Sequence, residues 1–154
     1  MKKMAIIASK GTLDMAYPPF ILASTAAALG FEVRVFFTFY GLQLLRRDLS
    51  DVKISPLANP AMPMPVPVPV MVQMLPGMET VATMMMKDKL KKKGVASLEE
   101  LRDLCLEAEV KFIACQMTMD LFDFEQSDFI DNIEYGCAAM FLDFAGDSDI
   151  CLFV

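Results

Sequence analysis

Apolar runs of strand length alternate along this chain with stretches of helix length, and that alternation limits its fold more than any other feature. MAIIA (4–8) is short, continuously apolar and ends in Ser9-Lys10-Gly11-Thr12, which reads as a buried first strand turning tightly into a helix. The segment LDMAYPPFILASTAAALG follows. Its Ala-rich part reads as helix ending at Gly30, with Pro18 and Pro19 either beginning that helix or kinking its first turns. FEVRVFFT (31–38), rich in Val and Phe, reads as a second strand, YGLQLLRRD as a short amphipathic helix, and VKI (52–54) as a short third strand. SLEELRDLCLEA (97–108) is a helix with Ser97 as N-cap and Glu100 at N3, the capping-box pattern. VKFIAC (110–115) is the next strand, a helix is expected around IEYGCAAMFLDFA (133–145), and ICLFV (150–154) closes the chain as a buried strand. No internal repeat is visible.

Strands alternating with helices imply an α/β fold whose parallel sheet is joined by right-handed crossovers. A chain of 154 residues suffices for one domain with a full core, so 1–154 is expected to be a single domain. In such a sheet the C-terminal ends of the strands gather at one edge, where ligands usually bind. That edge should collect residues 9–12, 38–40 and 55–59 together with Cys115. Cys115 is thereby expected on a functional rim, Cys137 and Cys151 in the body of the domain, and Cys105 as a packing residue of the 97–108 helix.

Residues 54–78 carry no formal charge, a length that invites a membrane-spanning reading. Six prolines between positions 59 and 77 oppose a helix there, and the alternation of Pro63, Pro65, Pro67 and Pro69 suits an extended, polyproline-like strip. A Pro/Met-rich insertion at about 56–78 is therefore expected, covered by a neighbouring subunit, by the METVATMMMKDKL helix that follows, or by a membrane surface. With 55% hydrophobic residues and a mean hydropathy of +0.43, part of the apolar surface is expected in a subunit or partner interface.

Charge and residue types narrow the chemistry. The net charge is −6, and residues 99–154 hold 14 acidic residues against two basic ones, Arg102 and Lys111. One basic cluster, KDKLKKK (87–93), is too little for a phosphate-tracking surface and reads as a solvated helix end, so nucleic-acid binding is not expected. Histidine is absent, which excludes Ser-His and Cys-His pairs and His-containing metal sites. The four cysteines form no C-x-x-C pair, so no zinc ribbon or dithiol motif is present. The apolar run behind the N-terminal MKK is too short for a signal peptide, and a cytoplasmic protein with reduced thiols is the expectation.

Cysteine reacts as thiolate. If residues 116–121 begin a helix, free backbone amides favour an anion at Cys115, while Asp120 opposes it and Lys10 offsets Asp120 if turned inward. The alternative is a small buried hydrophobe.

The segments CQMTMD (115–120), FFTFYGL (36–42), GTLDMAYP (11–18) and the NPAMP…PGM stretch (59–78) resemble the DsrE/DsrF-like family, in its branch with a Met- and Pro-rich insertion. The resemblance runs over nearly the whole chain. It implies a three-layer α/β/α sandwich with a mainly parallel five-stranded sheet, usually assembled into homo-oligomers. It also implies a sulfur carrier or sulfurtransferase in which a cysteine after a central strand, here Cys115, holds sulfane sulfur as a persulfide. That sulfur would be exchanged with TusA-like carriers and rhodanese-type donors, with no metal or organic cofactor. Backbone amides of Met117 and Thr118 would stabilise the thiolate and persulfide, and Gly11, Thr12, Phe37 and Tyr40 would shape the pocket. Two positions depart from the family pattern: Tyr40 stands where tryptophan is common, and Phe122-Asp123 replaces a more usual Met-Gly. Two other readings remain open at this point. One is a binding or scaffold subunit with an inert thiol, whose apolar insertion drives assembly or docks a membrane complex. The other is a thiol peroxidase or redox sensor, with a second cysteine resolving oxidised Cys115.

Overall fold

The first apolar run forms β1 (Lys3–Ala8) and the second β2 (Glu32–Phe37), which pair in parallel from Lys3 against Glu32 to Ala8 against Phe37. This computed structural model describes residues 1–54 and 70–154; the rim expectation at 55–59 and the alternating prolines at 63–69 lie outside the described residues. β3 (Lys111–Cys115) lies beside β2, β4 (Glu134–Gly136) beside β3, and β5 (Ile150–Phe153) on the other side of β1. The sheet thus has five strands in the order β4-β3-β2-β1-β5, with every ladder parallel, as the family resemblance implies.

α1 (Leu13–Ala28) buries Leu13, Ala16, Pro19, Phe20, Ala23 and Ala26, a stripe at three- and four-residue spacing that faces the sheet. Pro18 and Pro19 lie inside this helix rather than at its start. It stops at Gly30, whose φ of 84° lets the Phe31 amide reach the Ala26 carbonyl (3.0 Å) and its own amide reach Ala27 (2.9 Å). A 3-10 helix spans Phe39–Leu45, a short α2 spans Val70–Gln73, and α3 (Met78–Lys92) ends in the exposed lysines, where cations complement the helix dipole. α4 (Leu98–Glu107) opens on the expected capping box: Glu100 N donates to Ser97 Oγ (3.2 Å) and Ser97 N to Glu100 Oε2 (2.7 Å). α5 (Gln116–Leu121) follows β3 directly, and α6 (Ala138–Ala145) leads to β5.

Two expectations are corrected. Residues 52–54 are not a strand. Val52 and Ile54 are buried, but the Lys53 carbonyl accepts from Leu13 N (2.8 Å) and Ile54 N donates to the Thr83 hydroxyl (3.0 Å), so their backbone groups are satisfied without a ladder. The expected helix around 133–145 begins only at Ala138, because Glu134–Gly136 joins the open edge of β3 as β4.

Period-two alternation divides the core. Phe37 and Phe112 point to the face covered by α1 and meet Phe20, with Phe112 at 5.8 Å from Phe20 and 5.1 Å from Phe37 between ring centroids. Phe36, Ile113 and Cys115 point to the other face, where α6 contributes Phe141 and Phe144. Helices on both faces make the three-layer sandwich. Among the described residues no helix is long and apolar enough to cross a membrane.

Candidate functional site

β3 ends on Cys115, which is also the extended residue (φ −70°, ψ 111°) from which α5 starts. The side chain is 4% exposed and belongs to the apolar cluster of Ala5, Phe36, Ile113, Phe141 and Phe144 on the α6 face of the sheet. It makes no capping hydrogen bond to α5. Lys10 and Asp120 are both exposed, and Asp120 accepts a hydrogen bond from Gln116 Nε2 (3.1 Å).

The C-terminal ends of β1, β2 and β3 meet at one edge through close backbone approaches. A Cβ at Gly11 would collide with the Tyr40 carbonyl, and one at Gly41 with the Ala8 carbonyl, so the loop after β1 and the 3-10 helix after β2 touch main chain to main chain. Gly41 is an edge residue that the sequence reading did not single out; its sign is a glycine four residues past the end of β2. Thr118 is fully buried, and its Oγ1 accepts from Phe39 N (3.1 Å) and shares a hydrogen bond with Thr38 Oγ1 (3.3 Å). This hydroxyl fastens α5 to the turn in which Phe39 takes a left-handed φ of 48°, a costly conformation for a bulky residue. Replacing it by valine leaves the Phe39 amide without that acceptor. Thr118→Val is expected to lower the unfolding free energy by about 1–2 kcal/mol, read from urea denaturation midpoints.

Outside these backbone contacts lies an exposed aromatic shelf. Tyr40 stacks on Phe122 (5.9 Å, 19°), Phe39 meets the same ring edge-on (6.4 Å), and Met117 and Leu121 stand beside them on α5, 64% and 58% exposed. Asp123, the next residue after Phe122, adopts a φ of 55°. Of the residues expected around Cys115, then, Gly11, Tyr40, Met117 and Thr118 gather at this edge. Thr12 serves as the N-cap position of α1, its carbonyl accepting from Ala16 N (2.9 Å). Phe37 belongs to the core of the opposite face. A groove of about 620 Å³ between α1, α3 and α4, lined by Tyr17, Lys87, Lys91 and Glu100 among others, does not include Cys115.

The other cysteines divide differently from expectation. Cys105 is a packing residue: it is fully buried, its thiol donates to the Phe20 carbonyl (3.4 Å), and burial pushes its pKa up to about 12. Cys137 and Cys151 are exposed rather than in the body of the domain. β4 and β5 are the edge strands, so their flanks lack the cover that inner strands receive. Cys137 directly follows Gly136, the residue paired in register with Cys115, and it forms the N-cap position of α6. The Met140 and Ala139 amides at the start of α6 hold its thiol below the ordinary cysteine value.

The sequence profile described as the DsrE/DsrF/DrsH-like family matches residues 1–153. The chain is 64% identical over 157 residues to a protein of Allochromatium vinosum called sulfur carrier protein DsrE2, covering 99% of this chain and 98% of that one. It is 31% identical to YrkE of Bacillus subtilis, covering 99% and 97% of the two chains. In fold it is similar to the crystal structure of the ychN protein from E. coli, with a TM-score of 0.57 over the full length of both chains at 12% identity.

Proposed function

The chain belongs to the DsrE/DsrF/DrsH-like family, and on that premise we propose that it is a sulfur carrier in which Cys115 holds sulfane sulfur as a persulfide. The observation that carries this reading is the 64% identity, over almost the entire chain, with a protein named for sulfur carriage. It is supported by the position of Cys115 at the strand-end edge of a parallel sheet, where α/β proteins usually bind their ligands.

In this mechanism the Cys115 thiolate attacks the outer sulfur of a donor persulfide. A new S–S bond forms at Cys115, the donor's S–S bond breaks, and the donor leaves as a thiolate. An acceptor thiolate then attacks the outer sulfur of Cys115–S–SH and releases the Cys115 thiolate, so the cycle involves no net oxidation. Backbone amides of Met117 and Thr118, at the start of α5, are the donors on offer to the thiolate and the persulfide, although the thiol as it stands makes no capping bond to them. A rhodanese-type donor and a TusA-like acceptor have the required chemistry. The exposed shelf of Phe39, Tyr40, Met117 and Leu121 offers such proteins, or further copies of this chain, an apolar contact surface beside the thiol.

The burial of Cys115 favours a second reading, an assembly subunit with an inert thiol. Incubation with inorganic polysulfide, iodoacetamide quenching and peptide mass mapping separate the two. One added sulfur atom is expected on the Cys115 peptide of the native chain and of Cys105→Ala. A native chain that loads other cysteines and never Cys115 overturns the assignment of the nucleophile, and no loading at any cysteine favours the assembly subunit.

A further inference from the structure

Cys115 presents a difficulty for any carrier: at 4% exposed, its sulfur is largely shielded from a protein-bound persulfide. The neighbouring strand supplies what it lacks. Gly136 is the in-register partner of Cys115, and Cys137 is the next residue, exposed, at the same C-terminal edge of the sheet. Neighbouring strands lie about 4.8 Å apart and consecutive Cα atoms 3.8 Å, which puts the Cα atoms of Cys115 and Cys137 about 6 Å apart at this edge. β4 ends at Gly136, and the chain turns at Cys137 into α6, the helix whose Phe141 belongs to the same apolar cluster as Cys115. Both cysteines therefore stand at the same strand-end edge of the sheet.

We propose that Cys137 is the surface thiol that takes sulfane sulfur from the donor and passes it inward to Cys115. The inference rests on the carrier reading above. In the first step the Cys137 thiolate attacks the outer sulfur of the donor persulfide, forming Cys137–S–SH and releasing the donor thiolate. In the second the Cys115 thiolate attacks the outer sulfur of Cys137–S–SH, forming Cys115–S–SH and releasing the Cys137 thiolate. One S–S bond forms and one breaks in each step, and the proton of the outer sulfur moves with it or exchanges with water. The Met140 and Ala139 amides favour the thiolate form of Cys137, the form that attacks. Met140 completes the junction. Its side chain lies over Gly136, in the space any larger residue there would need, and packs against the cluster that holds Cys115. A flexible thioether in that position can move aside while sulfur passes.

The test is a time course on the full-length reduced chain pulsed with inorganic polysulfide, quenched with iodoacetamide and mapped by peptide mass for one added sulfur at each cysteine. In the native chain the label is expected first on Cys137, falling as that on Cys115 rises. In Cys115→Ala it should stay on Cys137. In Cys137→Ser, which keeps a good N-cap for α6, loading of Cys115 should slow at least roughly tenfold because access to the buried sulfur is lost. Cys151→Ser removes the other exposed thiol and should leave the time course unchanged. Cys115 loading at the native rate in Cys137→Ser overturns the relay and leaves Cys115 as a directly loaded carrier. Label that never reaches Cys115 in the native chain overturns the carrier reading and the relay with it.

Discussion

Phe112→Ala is expected to lower the unfolding free energy by about 3–5 kcal/mol, the range for removing a buried aromatic ring that neighbours cannot replace. Phe112 is fully buried on β3, between Phe20 of α1 and Phe37 of β2. The Phe37 ring meets it edge-on at 77°, and Phe20 touches both rings, so one truncation removes two of the three ring contacts of this cluster, one of them between the sheet and α1. Collapse into the cavity is restricted, because β3 is held in register between β2 and β4. A domain of this size is stable by about 5–15 kcal/mol, so the variant should unfold at markedly lower guanidinium concentration and populate unfolded chain under mild conditions. The comparison requires a fixed protein concentration, since any subunit association adds its own stability. A shift of under about 1 kcal/mol would mean that the three-ring cluster does not hold α1 to the sheet.

Gly41→Ala is the second large effect, expected at about 2–3 kcal/mol, towards the upper end of the cost of overpacking. Here the obstacle is main chain rather than a side chain that can rotate. The added methyl would meet the Ala8 carbonyl, and that carbonyl already accepts from Thr38 N (3.1 Å) where β2 ends. To make room, the 3-10 helix must lift away from β1, which strains the Thr38 contact and the Gly41 amide's own bond to the Thr38 carbonyl (3.0 Å). The consequence for the site is specific. Tyr40 and Phe39, which form the exposed shelf with Phe122, ride on this turn. Chemical denaturation should show the loss of stability, and tyrosine fluorescence should report the displaced Tyr40–Phe122 stack in the still-folded protein. Unchanged stability would mean that the edge is loosely packed and that the shelf is not held by the glycine.

Several elements were legible because their causes are local. MAIIA and VKFIAC are buried strands of a parallel sheet, and both end where the sequence places them, the second on Cys115. Ser97 and Glu100 meet as a capping box because a three-residue spacing at a helix start suffices to bring them together. Gly30 stops α1 because it alone in that stretch takes a positive φ without cost. The segments FFTFYGL and CQMTMD lie side by side at one edge, joined through Thr38 and Thr118.

Other features have no local cause. Glu134–Gly136 is three residues with no apolar alternation, and it is a strand only because β3 presents an unpaired edge to it. The reverse holds at 52–54, where a strand-like composition finds its hydrogen-bond partners in Leu13 and Thr83. Phe36 and Phe37 show the same limit at the level of one residue. Alternation says that they face opposite ways, but not which of them shares a face with Cys115.

By itself the sequence determined the class of fold, the order of its principal strands and helices, and the identity of the thiol at the end of a buried strand, because side-chain periodicity, caps and chain stiffness act over a few residues. Tertiary structure alone decided that Cys115 is covered, that Cys137 stands exposed just past the next strand, and that the backbones of the loop after β1 and the 3-10 helix after β2 touch at Gly11 and Gly41. Those outcomes depend on which chain segments become neighbours across the sheet, and hydrogen-bond pairing between distant strands is set by the whole core rather than by any one stretch of sequence.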